Sequence, residues 1–224
     1  MTSANATNPD WTAEPGIRSA RDYADVVPAW LGQNDRALAP FAPILAELLR
    51  LHGDRRALDG LDVVELGPGR RTRPSEKLSD SVGESFACVG LPRFRTRLDA
   101  YRFEDINAFL DELEPSSLDL VVSRFVLEEN SFHPLTLLRS SAFRSLVARG
   151  RNATVMKDLP GSAAYLELTA ERLARVVRPS GYVVGYVVDR RRAERFLEAA
   201  SDAFETITRT RIGWRMGLFT LRRR

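Results

Sequence analysis

Beyond residue 57, short β-rich apolar runs alternate with longer stretches of helical periodicity. Such near-continuous apolar runs are typical of strands covered on both faces, and an alternation of these strands with helices indicates a parallel sheet between two helical layers. The runs interpreted as five parallel strands are LDVVELG, SFACVGL, RLDAYRFED, LDLVVSRFV and YVVGYVVD. The pattern predicts one Rossmann-like αβα sandwich over residues 58–224.

The C-terminal end of the chain adds two more strands. ETITRTRIG and WRMGLFTLRR alternate polar and apolar residues, which favours an antiparallel pair. Before them, YLELTAERLARVVRPSG is predicted to be a helix that ends at Pro179 and Gly181, and AERFLEAASDAF a second amphipathic helix. We therefore expect a mostly parallel, seven-stranded sheet.

Residues 1–57 form a separate region, predicted to be a polar tail followed by a helical cap. ARDYADVVPAWLG and DRALAPFAPILAELLRLHG have helical spacing, with Pro40 and Pro43 making the second start irregular and Gly53 ending it. The tail lacks the basic start and apolar stretch of a secretory signal. The expected location is the cytoplasm.

The segment between the fourth predicted strand and the helix that follows it is unusually long. Residues from about 130 to 162 fill this connection, whereas such loops usually have about 2–6 residues. LTLLRSSAFRSLVARG is helical by period, and RNATVMKDLPGS is typical of a loop. The sequence predicts an insertion after strand 4, which together with the N-terminal helices could form a lid.

Composition excludes several classes of protein. Hydrophobic residues make up 44% of the chain, but no apolar run approaches the ~20 residues of a membrane span. A single cysteine, Cys88, excludes an internal disulfide and lies in the run FACVG, which predicts a buried strand residue. One Cys and two His provide neither a zinc site nor a nucleophile–His–acid triad, so no metal is expected.

The charge pattern disfavours a nucleic-acid partner. The chain has a net charge of +3, and all but two of its 33 basic residues are arginine. These arginines are scattered among 30 acidic residues, and their clusters lack the interleaved aromatic residues on which bases stack. Solvated faces and chain ends explain the clusters better.

VVELGPG, LDLVVS and LARVVRPSG follow one another along the chain. Together these three ordered motifs resemble those of the class I S-adenosylmethionine-dependent methyltransferases. Residues 63–69, VVELGPG, resemble the first motif, a strand that ends in an acidic residue and enters a glycine-rich turn. Residues 118–123, LDLVVS, resemble the fourth-strand motif, and residues 173–181, LARVVRPSG, resemble the turn before the fifth strand. Glycines allow a backbone to approach a ligand closely, and the next helix N-terminus offers amide groups. The resemblance implies S-adenosylmethionine as cofactor, with Glu65 positioning the loop and the cofactor's amino-acid end.

The chain also departs from this family. Arg70 and Arg71 stand where the family usually has another glycine, and Leu91 stands where it has the carboxylate that binds the ribose. Asp105 matches the acidic residue that contacts adenine, although a solvated turn residue explains it equally well. The candidate cofactor residues implied by the resemblance are Glu65, Gly67, Pro68, Gly69, Leu91, Asp105 and Ser123.

Candidate catalytic residues follow the fourth predicted strand. Glu128, Glu129 and His133 lie beyond its C-terminal end, and this end of a strand lines the ligand crevice in open α/β sheets. A neutral His133 could remove a proton from an acceptor hydroxyl or amine, or it could simply cap a loop before Pro134.

Three hypotheses remain open. The first is a methyltransferase acting on a small molecule, which by analogy suits tailoring of a secondary metabolite. The second is a related domain without methyl transfer, either a ligand-binding module or a catalyst of cyclisation or rearrangement. The third and weakest is RNA methylation. No membrane partner is expected, and a homodimer is left open.

Overall fold

The computed structural model describes residues 10–13, 19–23, 38, 41–68, 73–90, 101–103, 105–128 and 162–224. Its helices are α1 (Ala42–His52), α2 (Arg73–Val82), α3 (Ile106–Glu112), α4 (Ser162–Val176) and α5 (Arg190–Ala200). Its strands are β1 (Thr12–Ala13), β2 (Val63–Leu66), β3 (Phe86–Gly90), β4 (Tyr101–Phe103), β5 (Leu118–Arg124), β6 (Val177–Val187), β7 (Phe204–Ile212) and β8 (Met216–Arg223). Two 3₁₀ turns cover Ala20–Tyr23 and Arg55–Leu58. None of the described helices has the length and apolarity that crossing a membrane requires.

The sheet confirms the predicted architecture. Its strand order is β1-β7-β8-β6-β5-β2-β3-β4. The five strands from β2 to β6 run parallel, and β8 is antiparallel to both β6 and β7. The seven predicted strands are all present. The two-residue β1 adds an eighth, parallel to β7, which the sequence did not reveal.

The helix α4 ends, and the strand β6 starts, a few residues earlier in the chain than predicted. The helix ends at Val176 and the strand starts at Val177, before Pro179 and Gly181. The pairing with β5 jumps from Leu118↔Val177 to Leu120↔Tyr182, so the intervening residues bulge out of the ladder. A bulge tolerates a proline, which cannot donate a ladder hydrogen bond.

Helices cover both faces of the sheet, as the near-continuous apolar strands predict. Side chains of α1 and α2 pack on one face, and side chains of α3, α4 and α5 pack on the other. The second predicted N-terminal helix is α1, which ends at Gly53 with a left-handed φ of 77°. Most of the first predicted N-terminal helix, and the insertion from about 130 to 162 apart from its last residue, lie outside the described residues.

Candidate ligand crevice

The strand order places a topological switch point between β2 and β5. From β2 the chain moves outward to β3 and β4, whereas from β5 it moves the opposite way to β6. In open α/β sheets, ligands bind beyond the carboxyl ends of the strands at such a point, because the connecting loops diverge there and leave a crevice. The carboxyl ends of β2 and β5 therefore mark the candidate crevice.

A buried ion pair joins these two strands. Arg124, the last residue of β5, donates from Nε to Glu65 Oε1 at 2.6 Å, and both side chains are buried. The guanidinium also donates from Nη2 to Ser75 Oγ of α2 at 3.0 Å and lies 4.9 Å from the centre of the Phe41 ring. The predicted residue Glu65 thus shares a cluster with Phe41, Ser75 and Arg124, none of which we predicted.

The second carboxylate oxygen of Glu65, Oε2, has no hydrogen-bond donor among the described residues, although the residue is fully buried. A buried acceptor without a donor is costly and rare in proteins. An ammonium group entering the crevice would supply a donor, and the amino-acid end of S-adenosylmethionine carries one. This side chain fits the cofactor that the motifs imply.

Gly67 follows β2 with a φ of 70° and is buried. A Cβ at this position would overlap Val126 Cγ1 and lie 3.3 Å from the carbonyl oxygen of Arg124. The chain leaving β5 therefore crosses directly over the turn. Glycine is needed here to pack the fold, in addition to any need for close approach to a cofactor.

Of the other predicted site residues, some are buried near the crevice and some lie outside the described residues. Pro68 is buried beside Gly67, and Gly90, the last residue of β3, contributes no carboxylate. Ser123 is 1% exposed, and its Oγ has no hydrogen-bond partner within the described part of the chain. Gly69 and Leu91 lie outside the described residues, as do Arg70, Arg71, Glu129 and His133.

Asp105 caps a helix. Its Oδ1 accepts hydrogen bonds from the backbone N–H groups of Asn107 and Ala108 at the start of α3. Its Oδ2 accepts one from the Tyr165 hydroxyl at 2.7 Å. Burial, and then the charge of Asp105, raise the pKa of Tyr165 well above its ordinary value, so this hydroxyl remains a donor. Both carboxylate oxygens are engaged, which favours a structural role.

Glu128, which follows β5 as Asp105 follows β4, also has both carboxylate oxygens engaged. It is 2% exposed, and its two oxygens accept hydrogen bonds from the backbone N–H groups of Val188 at 3.0 Å and Asp189 at 2.8 Å. These residues connect β6 to α5. The carboxylate therefore ties the segment after β5 to the segment after β6.

Cys88 lies on β3 beside Glu65 and is buried, as predicted. Burial, followed by the charge of Glu65, raises the pKa of its thiol far above neutral pH. Both the burial and the raised pKa favour a structural role over that of a nucleophile. Within the described ranges, His, Cys, Asp and Glu side chains form no cluster able to hold a metal ion.

Arg124 is the residue of the crevice that the sequence could have disclosed. A charged side chain is rarely buried unless it is paired, and Arg124 interrupts the apolar run LDLVVSRFV. That anomaly predicts a buried acidic partner. Its identity, Glu65, depends on the pairing of β2 with β5.

No family model and no curated protein matches the sequence. Solved structures match the fold at low identity. The PH0226 protein of Pyrococcus horikoshii is 13% identical, with a TM-score of 0.52 and coverage of 91% of this chain and 99% of its own.

Two further structures carry a functional description. The N-methyltransferase NodS of Bradyrhizobium japonicum is 15% identical, with a TM-score of 0.50 and coverage of 80% and 93%. A structure described as a putative S-adenosylmethionine-dependent methyltransferase of Listeria monocytogenes is 8% identical, with a TM-score of 0.50 and coverage of 75% and 91%. The chain therefore has the fold of the class I S-adenosylmethionine-dependent methyltransferases, with a sequence far diverged from those of its structural neighbours.

Proposed function

We propose that the protein is an S-adenosylmethionine-dependent methyltransferase that acts on a small molecule in the cytoplasm. The observation that carries the proposal is the buried, unpartnered Oε2 of Glu65, at the strand end where this fold offers a ligand crevice. Structural neighbours described as methyltransferases, among them the N-methyltransferase NodS, support the proposed activity. Tailoring of a secondary metabolite is the role we favour.

In this proposal, the bound cofactor supplies an electrophilic methyl group on a sulfonium. Glu65 Oε2 accepts a hydrogen bond from the cofactor's ammonium group, while Arg124 holds the other oxygen and keeps the carboxylate oriented. We place Gly67, Pro68 and Gly69 against the amino-acid end, and Ser123 and Leu91 beside the rest of the cofactor. Asp105 would reach the adenine only by sharing or giving up a hydrogen bond that it now makes within the chain. Since Leu91 offers no carboxylate to the ribose, affinity should be lower than in relatives that have one.

The acceptor requires a base when it reacts through a hydroxyl or a protonated amine. His133 and Glu129 are the proposed candidates, because both oxygens of Glu128 already accept backbone hydrogen bonds. General base assistance typically contributes ~10²–10⁴-fold in rate. His133→Asn should lower turnover by a factor in this range and leave the thermal midpoint and cofactor affinity unchanged. Full activity would assign the proton transfer to another group.

Titration calorimetry with S-adenosylhomocysteine tests cofactor binding directly. Wild-type protein should bind, and Glu65→Gln should weaken binding by about tenfold or more, because a charge-assisted hydrogen bond is lost. Since this variant also leaves Arg124 without its charged partner, the titration is done at a temperature at which thermal unfolding shows the variant to be folded. Glu205→Gln is the matched control, since Glu205 is an exposed acid paired with Arg222 on the terminal hairpin formed by β7 and β8. Failure of the folded wild-type protein to bind at millimolar ligand would overturn the proposal.

A second candidate is a methyltransferase-like protein without methyl transfer, which binds a ligand or catalyses a rearrangement. Two candidate polar residues, Asp105 and Glu128, are engaged in hydrogen bonds within the chain, which favours this alternative. Transfer of label from methyl-labelled S-adenosylmethionine to an acceptor would exclude it. Binding of the cofactor without transfer to any acceptor would support it.

A further inference from the structure

A cavity of about 360 Å³ lies where the start of α5 meets the turn between β7 and β8. Its lining residues are Asp189, Arg190, Arg191, Trp214 and Arg215. Val187 at the end of β6 pairs with Gly217 just after this turn. The cavity therefore lies at the carboxyl ends of the parallel strands, as the candidate crevice does.

Contacts within the lining hold the cavity walls together. Arg190 donates from Nη2 to the carbonyl of Trp214 at 2.7 Å and from Nε to the carbonyl of Arg215 at 3.2 Å. Arg215 donates from Nη2 to Asp189 Oδ2 at 2.7 Å. These bonds hold the turn between β7 and β8 against α5 and so fix the walls of the cavity.

The cavity has an excess of positive charge. Three arginines and one aspartate line it, which leaves a net charge of +2. The hydrogen bond from Arg215 lowers the pKa of Asp189, so this carboxylate is ionised at neutral pH. Burial and then repulsion from Arg211 and Arg191 lower the pKa of Arg190. An anion would relieve this repulsion.

Arg191 is the arginine available to such an anion. Its side chain is exposed, and no hydrogen bond or ion pair engages its guanidinium among the described residues. By contrast, Arg190 and Arg215 already hold the turn and Asp189.

Exposed apolar surface borders the same cavity. Trp214 is 81% exposed and Val188 is 44% exposed, and these are the exposed large hydrophobic residues of the described part of the chain. Trp214 lines the cavity, and Val188 immediately precedes the lining residue Asp189. The Arg215 guanidinium lies 5.1 Å from the centre of the Trp214 ring. Exposed apolar surface beside an arginine without an ion-pair partner among the described residues favours binding of a ligand that has both an apolar part and an anionic group.

We propose that this cavity binds a small organic anion, a carboxylate or phosphate attached to a flat apolar ring. The anionic group contacts Arg191, and the ring lies against Trp214. The volume falls in the usual range of small-molecule sites, ~300–1,000 Å³. Among the described residues, Trp214 is the aromatic residue that lines the cavity, and the ring of Trp11 lies near Arg190. This arrangement suits a small ligand better than a nucleic-acid strand, which requires a row of stacking residues along a charged groove.

The site goes beyond the proposed methyl transfer and does not depend on it. Because β6 is the immediate neighbour of β5, a ligand in the cavity lies on the order of 10 Å from the switch point. That places it beside the crevice proposed for the cofactor and outside the Glu65 cluster. Binding here can therefore be measured without any cofactor.

Phenyl phosphate is the probe for the test, read by ¹⁵N NMR of the tryptophan indole groups in the full chain. Trp214→Phe identifies the Trp214 signal. We expect phenyl phosphate to shift this signal saturably. Inorganic phosphate, which lacks the ring, and benzyl alcohol, which lacks the anionic group, should each bind more weakly. Arg191→Gln should weaken phenyl phosphate binding by about tenfold, because one charge-assisted contact is lost.

Arg195→Gln is the matched control. It removes the same charge one turn further along α5, from a residue whose partner is Glu167 outside the cavity, and should leave affinity within about twofold. The absence of a saturable shift, or an equal loss in the Arg191 and Arg195 variants, would overturn the proposal. Binding of oligouridylate without binding of phenyl phosphate would also overturn it, in favour of a nucleic-acid surface.

Discussion

At the scale of single residues, the buried pair of Glu65 and Arg124 has the greatest influence on the crevice. The side chain of Glu65 is fully buried and that of Arg124 is only 9% exposed, so removing one partner leaves a buried charge without compensation. A loss of this kind typically costs about 3–5 kcal/mol, whereas replacing both partners by apolar residues is often close to neutral. The pair therefore orients the acidic residue of the crevice more than it stabilises the fold.

Arg124→Leu is predicted to lower the free energy of unfolding by about 3–5 kcal/mol, and Glu65→Leu/Arg124→Leu should recover much of this loss. Urea unfolding of the two variants and the wild type measures both values. A double variant no more stable than Arg124→Leu would show that Arg124 acts through Ser75 and Phe41 instead.

Gly67→Ala is predicted to destabilise the protein by more than the ~1–2 kcal/mol of backbone strain at a positive φ, because its Cβ would overlap Val126. Gly60→Ala is the matched control, since Gly60 has a φ of 76° and open space around it. Adding Val126→Ala to Gly67→Ala removes the overlapping methyl group and should restore part of the stability. Equal losses in the Gly60 and Gly67 variants would contradict this explanation.

At the scale of elements, a buried acid attaches α1 to the terminal hairpin. Glu47 is 6% exposed and accepts hydrogen bonds from Arg50 of its own helix and from Thr208 of β7 and Thr220 of β8. Burial acts to raise its pKa, but the bonds from Arg50, Thr220 and Thr208 outweigh it and leave the pKa lowered. The hydrogen bonds at this contact thus favour the ionised carboxylate.

A lowered folded-state pKa means that Glu47 stabilises the protein above its unfolded-state value, about 4.3, and that this contribution disappears as pH falls through the folded-state value. We predict that Glu47→Gln destabilises the protein at pH 7 and that the difference from wild type shrinks below about pH 4. Urea unfolding of both proteins across this range measures it. A difference independent of pH would show that the ionised form is not required.

The carboxylate of Glu128 connects two strand ends in the same way. Glutamine has one carbonyl oxygen where glutamate has two acceptors, so Glu128→Gln should leave one of the two backbone N–H groups without its partner and cost about 1–3 kcal/mol. Thermal unfolding tests the loss. Unchanged stability with reduced turnover would instead assign Glu128 to catalysis.

At the scale of the whole molecule, the N-terminal segment closes one edge of the sheet. β1 pairs with β7, and Trp11 donates from Nε1 to Glu194 while the guanidinium of Arg209 lies 5.7 Å from the centre of a Trp11 ring. Gly217 has no side chain where the Trp11 ring lies. A covered edge strand is protected from pairing with another chain.

Trp11→Ala is therefore predicted to lower the thermal midpoint and to increase self-association, because β7 loses its cover. Trp214→Ala is the control, because it makes the same substitution at an exposed position. Trp214 is 81% exposed, so its replacement should change the free energy of unfolding by no more than about 0.5 kcal/mol. Size-exclusion chromatography with light scattering checks the association. A monomeric Trp11→Ala protein with wild-type stability would contradict the predicted protection.

Local patterns in the sequence were enough to predict the architecture and one side of the crevice. Apolar runs such as LDVVELG and LDLVVSRFV indicate doubly covered strands, because burial on both faces requires nearly every residue to be apolar. The same local pattern placed Glu65 at a strand end and Gly67 in the turn that follows. These features depend on residues within one element, and so the chain order alone reveals them.

The partners of those residues depend instead on how distant segments pack together. Glu65 meets Arg124 from 59 positions away, Asp105 meets Tyr165 from 60, and Glu128 meets Asp189 from 61. No periodicity encodes such pairs, since each depends on which strands become neighbours and on where the connecting helices return. The two-residue β1 and the arginine-lined cavity have the same origin. Local pattern sets the elements, and the packing of distant segments sets the hydrogen bonds and charges that give the site its chemistry.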